Sequence, residues 1–196
     1  MNIYLLRHGE TEENAKKSYY GGLDVGISEK GIRQCINVKK HIEGINFDRV
    51  YLSESKRAYQ SAEIVLSDSK NYIVDSRINE LSFGEFEGKS YEDIKRLYPK
   101  EEKKWRECWK SFSPPGGESY VELYGRVESF MKGIETIEED NILVVTHGGI
   151  IRAVYTYILG GNLELFWKFS CKNCDIALIK YEYGNWFIDS IIHGGI

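Results

Sequence analysis

The sequence lacks any segment that resembles a membrane anchor or an export signal. Across its 196 residues, no uncharged apolar stretch approaches the roughly 20 residues that a membrane-spanning helix requires. An apolar run begins directly after Met1 and Asn2, without the basic segment, apolar core and cleavage site of a signal peptide. We therefore expect a cytoplasmic protein that has no membrane partner.

The sequence also lacks an excess of positive charge. It has 26 lysine and arginine residues against 30 aspartate and glutamate residues, which gives a net charge of -4. Such a chain has no general attraction for nucleic acid, so we expect no nucleic-acid partner. Any anion that the protein binds must be held by a local cluster of basic side chains.

Cysteine is scarce, and its spacing does not favour a metal site. Only Cys171 and Cys174 have the Cys-x-x-Cys spacing of zinc and redox sites. A structural zinc site needs a second such pair, whereas Cys35 and Cys108 are isolated in the sequence. We expect four reduced thiols, most of them packed in the interior, and no metal ion or other cofactor.

The 42% hydrophobic content is sufficient for one domain with its own core, here residues 1–196. Strand-like and helix-like segments alternate, which predicts an α/β fold whose central sheet is mostly parallel. The predicted strands are residues 3–6, 47–52, 72–74, 141–146, 175–182 and 186–192, and the last two form a hairpin across Gly184 and Asn185.

The helices between these strands are predicted from caps and from apolar spacing. Ser28 caps a first helix, and Ser119 and Glu122 form the capping box of another. The apolar positions are Ile32, Cys35, Ile36 and Ile42 in the first, Ala58, Ala62, Val65 and Leu66 in the second, and Leu123, Val127, Phe130, Met131 and Ile134 after the capping box. A last helix covers 150–159 and ends at two glycines. Residues 84–118, interrupted by prolines, are predicted to form a lid insertion.

Charged and imidazole side chains follow three of the predicted strands. Arg7-His8-Gly9 follows the first strand, Ser53–Arg57 follows the second, and Thr146–Gly149 follows the fourth. Ligands of open α/β sheets bind at the carboxyl ends of the strands, where these segments meet. The sequence therefore predicts two arginines and two histidines at one edge of the sheet.

This set of side chains suits a phosphoryl group. Two arginine forks can hold a phosphate dianion, and the helix N-termini after the second and fourth strands, including Gly148, add N–H donors. A neutral imidazole is a nucleophile toward phosphorus, and a second imidazole can donate to the charge that develops during transfer. Neither role requires a metal ion.

The ordered motifs resemble those of the histidine phosphatase superfamily, the phosphoglycerate mutase-like proteins. They are Arg-His-Gly-Glu-Thr from Arg7, Ser-x-x-x-Arg-Ala-x-Gln from Ser53, and His147-Gly-Gly. The resemblance covers nearly the whole chain. It implies a three-layer α/β sandwich with a helical lid and a phosphomonoesterase that needs no metal ion.

The resemblance also implies a role for each site residue. His8 would be phosphorylated during turnover, and Arg7, Arg57, His147 and Asn14 would complete the phosphate pocket. Within Asn79–Gly88, which matches the family's pattern after the third strand, Glu80 would be the proton donor to the leaving group. Upstream, the chain departs from many relatives because Gly21–Ser28 lacks a basic or amide residue and a proline. The substrate side of the pocket is thus less well defined than the phosphate side.

The insertion resembles that of the α-ribazole phosphatases in the spacing of Trp105 and Trp109, in the run from Ser113 to Ser119, and in Tyr124–Val127. An aromatic lid can stack on the benzimidazole of α-ribazole 5′-phosphate, but the two tryptophans can equally pack the lid onto the sheet. Four other functions remain open: a phosphoglycerate mutase, a broad-specificity small-molecule phosphatase, a module that binds a phosphorylated ligand without turnover, and a metal-dependent hydrolase. The expected partner is a small phosphorylated metabolite, and the protein is expected to be a monomer or a homodimer.

Overall fold

The computed structural model describes residues 1–66 and 71–194, in which six strands form one sheet. The strands are β1 (Asn2–Arg7), β2 (Arg49–Leu52), β3 (Tyr72–Val74), β4 (Asn141–Thr146), β5 (Ile176–Glu182) and β6 (Asn185–Ile192), and their order in the sheet is β3-β2-β4-β1-β5-β6. The first four strands are parallel, whereas β5 runs antiparallel to β1 and to β6. The predicted mostly parallel sheet with a terminal hairpin is confirmed.

Helices flank the sheet, and the four predicted ones follow in the expected order, whereas the short α1 was not predicted. They are α1 (Glu12–Lys16), α2 (Glu29–Lys39), α3 (Lys56–Val65), α4 (Tyr91–Leu97), α5 (Pro99–Glu107), α6 (Tyr120–Ile134) and α7 (Gly148–Ile158). Ser28 caps α2 by accepting the Gly31 N–H, and Ser119 and Glu122 form the predicted capping box of α6. None of the helices within the described residues is both long and apolar enough to cross a membrane.

Two clusters of buried apolar side chains make the fold three-layered. Successive residues of a strand point to opposite faces of the sheet, and Leu5 accordingly joins one cluster while Leu6 joins the other. The first cluster is completed by α6 and α7, for example Val127 and Val154, and the second by α2 and α3. The α/β sandwich implied by the family resemblance is therefore confirmed.

The predicted apolar face of α2 is partly wrong. Ile32 and Ile36 are 40% and 54% exposed, whereas Gly31 and Gln34 are buried beside Cys35. The reason is a close backbone contact, because a β carbon on Gly31 would overlap the carbonyl oxygen of Glu10. Since α2 packs against the loop after β1 at this glycine, its isoleucines turn toward solvent.

Residues 84–118 leave the sheet layer and return at nearly the same point. The Glu85 N–H donates to Pro115 O, and the Glu118 N–H donates to Ser82 O, both at 2.9 Å. Gly84 has φ +52°, a conformation that favours glycine. The segment between contains α4 and α5. The limits of the insertion and of the domain remain predictions, and residues 67–70 and 195–196 of the predicted domain lie outside the described residues.

Candidate active site

His8 follows β1 directly and is buried. Its Nδ1 lies 2.7 Å from Gly9 O, and because a carbonyl oxygen only accepts, the imidazole proton resides on Nδ1. Burial lowers the pKa of His8 well below 6.5, and the positive charges of Arg7 and Arg57 lower it further. His8 is therefore a neutral imidazole whose Nε2 lone pair is available.

Arg7, the last residue of β1, lines the cavity beside His8. Its Nη1 donates to Cys171 O at 2.6 Å, but its Nε has no hydrogen-bond partner among the described residues. An unsatisfied buried donor is costly, and most such groups have a partner. The cavity has a volume of about 260 Å³ and is lined by Arg7, His8, Asn14, Ser18, Tyr19, Tyr20, Arg57, Glu80, Phe83 and Arg152. We call it the basic cavity.

Arg57 enters the same cavity from the first turn of α3 and is almost completely buried. Its two terminal nitrogens donate to Gly21 O and Leu23 O, each at 2.9 Å. Its Nε donates to His147 Nδ1 at 3.3 Å. The loop between Gly21 and Ser28 thus orients the arginine through backbone carbonyl groups, a role that does not depend on the identity of its side chains.

His147 is the N-cap residue of α7 and is fully buried. Because its Nδ1 accepts from Arg57, its proton lies on Nε2, which donates to Ser53 Oγ at 2.7 Å. Its ring centroid is 5.1 Å from that of His8. Burial and the charge of Arg57, followed by His8 and Arg7, lower the pKa of His147 well below 6.5. The predicted pair of histidines is brought together, and a bound phosphate dianion would offset the charges that keep His147 neutral.

Glu80 lies at the N-terminus of α7, between the basic cavity and a second cavity. Its carboxylate accepts the Leu81 N–H at 3.0 Å and the Gly149 N–H at 3.1 Å. A β carbon on Gly149 would overlap the carboxylate, whereas one on Gly148 would lie 3.4 Å from the Arg7 guanidinium. Gly149 was not predicted as a site residue, although the second glycine after His147 was visible in the sequence.

Asn14 belongs to the capping box of α1 and borders the basic cavity. Its Oδ1 accepts from the Thr11 N–H at 3.2 Å and from Asn173 Nδ2 at 3.0 Å. With the oxygen occupied in this way, the amide nitrogen is the end of Asn14 that can serve a phosphate oxygen. Asn14 thus borders the same cavity as Arg7 and His8, and its contact with phosphate remains a prediction.

The loop at 171–174 is a part of the site that the sequence interpretation missed. The Cys174 N–H donates to Arg7 O at 3.1 Å, and Asn173 Nδ2 donates to His8 O at 3.1 Å. This loop precedes β5, which pairs antiparallel with β1, so it begins where β1 ends. Antiparallel pairing of the predicted fifth strand with the first would have revealed it.

Two further features differ from the sequence interpretation. Cys35, isolated in the sequence, lies with its Sγ 3.4 Å from Cys174 Sγ, and both thiols are buried and free. Cys108 is exposed, and Cys171 is buried and free.

Arg152 on α7 was not predicted, yet it lines the basic cavity and its guanidinium lies over the Trp167 ring at 5.1 Å. In the part of the chain that the structure describes, no three His, Cys, Asp or Glu side chains form a group that could hold a metal ion.

Two of the cavities that adjoin the basic cavity have contrasting linings. A polar cavity of about 340 Å³ shares Glu80 with it and is lined by Gly21, Gly22, Leu23, Asp24, Glu54, Ser55, Asn79, Glu80, Ser82, Glu118, Arg126 and His147. An aromatic cavity of about 230 Å³ shares Tyr19 with it and is lined by Tyr19, Tyr91, Trp105, Arg106, Trp109, Tyr120 and Trp167. A leaving group can therefore extend over polar or aromatic side chains.

The two tryptophans of the insertion both pack and line the aromatic cavity. The Trp105 ring lies 5.1 Å from that of Tyr19, and the Trp109 ring lies 5.3 Å from that of Tyr120, both edge to face. The packing expected from the sequence is thus observed. Contact of either ring with a substrate remains a prediction.

Comparison with known proteins identifies the relatives of this chain. The profile of the histidine phosphatase superfamily (branch 1) matches residues 3–193. Phosphoserine phosphatase 1 of Hydrogenobacter thermophilus is 32% identical over 184 residues, which cover 93% of this chain and 87% of the relative. The adenosylcobalamin/alpha-ribazole phosphatase of Escherichia coli is 31% identical over 171 residues, with 86% and 84% covered. The crystal structure of the alpha-ribazole phosphatase from Shigella flexneri superimposes with a TM-score of 0.94 at 27% identity, covering 100% of this chain and 98% of that one.

Proposed function

The chain belongs to the histidine phosphatase superfamily (branch 1) and is a phosphoric monoester hydrolase, and from this premise we propose that it removes the phosphate from α-ribazole 5′-phosphate through a phosphohistidine at His8. The observation that carries the mechanism is the His8 Nδ1–H bond to Gly9 O, which leaves Nε2 as the free nitrogen in a cavity lined by arginines.

In the first step, the Nε2 lone pair of His8 attacks phosphorus and the ester P–O bond breaks. The electron pair of that bond goes to the leaving oxygen, which takes a proton from the Glu80 carboxyl group. Glu80 suits this role because it borders both the basic cavity and the polar cavity. The leaving group therefore departs past Glu80.

In the second step, water attacks the phosphoryl group. Its proton goes to the Glu80 carboxylate, the P–N bond breaks, and its electron pair returns to His8 Nε2. The Arg7 guanidinium and Asn14 Nδ2 are donors available to the phosphoryl oxygens, and Arg57 supplies a buried positive charge. His147 joins the set in its protonated form, in which Nδ1 no longer accepts from Arg57 and donates instead.

The choice of α-ribazole as the leaving group depends on the aromatic cavity and on the relatives. Trp109 and Trp167 line a space next to Tyr19, which also borders the basic cavity. A flat heteroaromatic ring gains stacking energy and apolar burial in such a space. The similarity to proteins named alpha-ribazole phosphatase supports the same choice.

Phosphoserine is the second candidate substrate. The similarity to phosphoserine phosphatase 1 favours it, as does the polar cavity, whose carboxylates, including Glu54 and Asp24, can pair with an amino group. A phosphoglycerate mutase would instead return the phosphoryl group to a product, and a binding module would retain phosphate without turnover. The predictions of a small phosphorylated partner, of a monomer or homodimer and of a cytoplasmic location remain untested.

The test is phosphate release in the presence of chelator from α-ribazole 5′-phosphate, phosphoserine, 3-phosphoglycerate, a sugar phosphate and an aryl phosphate. A preference in kcat/KM of about a hundredfold for α-ribazole 5′-phosphate, worth about 2.7 kcal/mol, would support the proposal. A comparable preference for phosphoserine would replace α-ribazole as the substrate. Isomerisation of 3-phosphoglycerate faster than phosphate release would identify a mutase, and tight phosphate binding without turnover would identify a binding module.

A variant of the aromatic cavity separates substrate contact from lid packing. Trp109→Leu should reduce kcat/KM for α-ribazole 5′-phosphate about tenfold and leave that for the aryl phosphate within about threefold. Trp186→Leu, on β6 and outside all three cavities, is the matched control. An equal loss on both substrates would mean that Trp109 only packs the insertion.

A further inference from the structure

Arg126 on α6 lines the polar cavity beside Glu80, but the proposed mechanism gives it no task. Its side chain is only 20% exposed, and its guanidinium holds two elements together. Nε and Nη2 donate to the two carboxylate oxygens of Glu118 at 2.7 and 2.9 Å. Nη1 donates to Arg77 O at 2.8 Å, and Nη2 also donates to Glu80 O at 3.3 Å.

These contacts argue against a role in binding substrate. Four of the five guanidinium N–H groups donate to the protein. The two-pronged face that an arginine offers to a phosphate or a carboxylate is occupied by Glu118. Arg126 can therefore act by fixing the backbone segment to which it donates, and this segment carries Glu80.

The contacts reach both ends of the segment that presents the Glu80 carboxylate. Arg77 O and Glu80 O lie three residues apart, and the Leu81 N–H then donates to the carboxylate itself. Glu118 is fixed in turn, because its N–H donates to Ser82 O at the base of the insertion. Arg126 thus ties α6, the segment 77–82 and the end of the insertion into one unit.

We propose that Arg126 is a positioning residue, which holds Glu80 where it can protonate the leaving group. The inference depends on the proposed role of Glu80 as the acid. A misplaced acid slows only substrates whose leaving oxygen needs a proton. The dependence of rate on the leaving group therefore reports on the position of Glu80, whereas a general loss of structure affects good and poor leaving groups alike.

The experiment compares an alkyl phosphate, which has a poor leaving group, with 2,4-dinitrophenyl phosphate, which has a good one. The parameter is kcat/KM, because it covers the steps through departure of the leaving group and excludes hydrolysis of the phosphohistidine. Arg126→Lys keeps the charge and loses the fork. We expect its kcat/KM to fall about tenfold for the alkyl ester and less than about threefold for the dinitrophenyl ester, with the inhibition constant of vanadate unchanged.

Three other variants complete the test. Glu118→Gln keeps Arg126 but weakens the ion pair that holds its guanidinium. It should also lower kcat/KM selectively for the alkyl ester, and it replaces Arg126→Lys if that variant is too unstable to assay. Arg49→Lys makes the same change in an arginine–glutamate pair of similar length at the amino end of β2, and it should leave both rates unchanged. Glu80→Gln removes the acid itself and serves as the reference. It should lower kcat/KM for the alkyl ester about a hundredfold or more.

The outcomes separate the two hypotheses. A double variant, Arg126→Lys with Glu80→Gln, should be no slower on the alkyl ester than Glu80→Gln alone, because both changes act on one group. If Glu80→Gln lowered kcat/KM equally for the alkyl and the dinitrophenyl ester, Glu80 would not be the acid and the proposed mechanism would be refuted. Two outcomes would refute only the positioning role of Arg126. In the first, Glu80→Gln slows the alkyl ester selectively while Arg126→Lys slows both esters equally. In the second, the losses of the two single variants add in the double variant.

Discussion

The Gly149 N–H donates to Glu80 Oε2 at 3.1 Å, and this contact joins the N-terminus of α7 to the loop after β3. The approach is possible only because residue 149 has no side chain, since a β carbon there would overlap the carboxylate. The requirement for the second glycine after His147 is therefore steric.

Gly149→Ala is expected to displace Glu80 and to slow the enzyme. The β carbon must push either the carboxylate or α7, so we predict a fall in kcat/KM of about tenfold or more for an alkyl phosphate. The measurement is steady-state phosphate release, together with a thermal melt of the variant.

The matched control is Gly125→Ala on α6. A β carbon at Gly125 meets no atom within 4 Å, and alanine within a helix is more favourable than glycine by roughly 0.5 to 1 kcal/mol. This variant should keep full activity with a slightly raised Tm. Unchanged activity in Gly149→Ala would show that Glu80 need not occupy the position seen here.

The phosphoryl group is expected on Nε2 of His8. Since Nδ1 carries the proton and donates to Gly9 O, the other nitrogen is the nucleophile. Rapid acid-free quenching during turnover, followed by 31P NMR of the denatured protein, should show phosphohistidine substituted at Nε2. His8→Ala should abolish both the signal and the turnover, whereas His41→Ala, at an exposed position, should retain both. A signal from Nδ1-substituted phosphohistidine would contradict the hydrogen-bond assignment.

Asn173 is expected to fix the positions of His8 and Asn14 relative to each other. Its Nδ2 donates to His8 O at 3.1 Å and to Asn14 Oδ1 at 3.0 Å, so Asn173→Ala removes one donor from each of these two acceptors. We predict a loss of roughly 1 kcal/mol in the free energy of unfolding and a fall in kcat/KM of about tenfold. Urea unfolding and phosphate release measure the two quantities. Lys172→Ala, which truncates an exposed neighbour, should change neither, and equal behaviour of the two variants would refute the assignment.

Local sequence signals were sufficient to predict the fold and the clustering of charged groups. The strand ends at Arg7, Ser53 and Thr146 could be placed on one edge because parallel strands present their carboxyl ends together, and the structure brings Arg7, His8, Arg57 and His147 to that edge. The cap at Ser119 was predictable because it depends on residues three apart. The catalytic roles of the histidines and arginines at this edge remain predictions.

Contacts between distant segments were beyond such signals. The burial of Gly31 in place of Ile32 depends on the backbone of Glu10, which no periodicity within α2 encodes. The proximity of Cys35 to Cys174 and the reach of Asn173 to His8 depend on the pairing of β5 with β1. Local pattern thus defines which residues form an element, and packing defines which of its sides meets the site.

The buried histidines are expected to make stability depend on pH. In the folded protein, the pKa values of His8 and His147 lie well below 6.5, primarily because of burial. The unfolded chain therefore binds protons near pH 6.5 that the native state does not bind, and the free energy of unfolding falls as the pH is lowered through that value. Each histidine contributes up to about 1.4 kcal/mol per pH unit, and carboxylates add little between about pH 5.5 and 7. Urea unfolding across this window should show a slope that His147→Gln reduces by about half. An unchanged slope in that variant would mean that His147 is not held neutral in the native state.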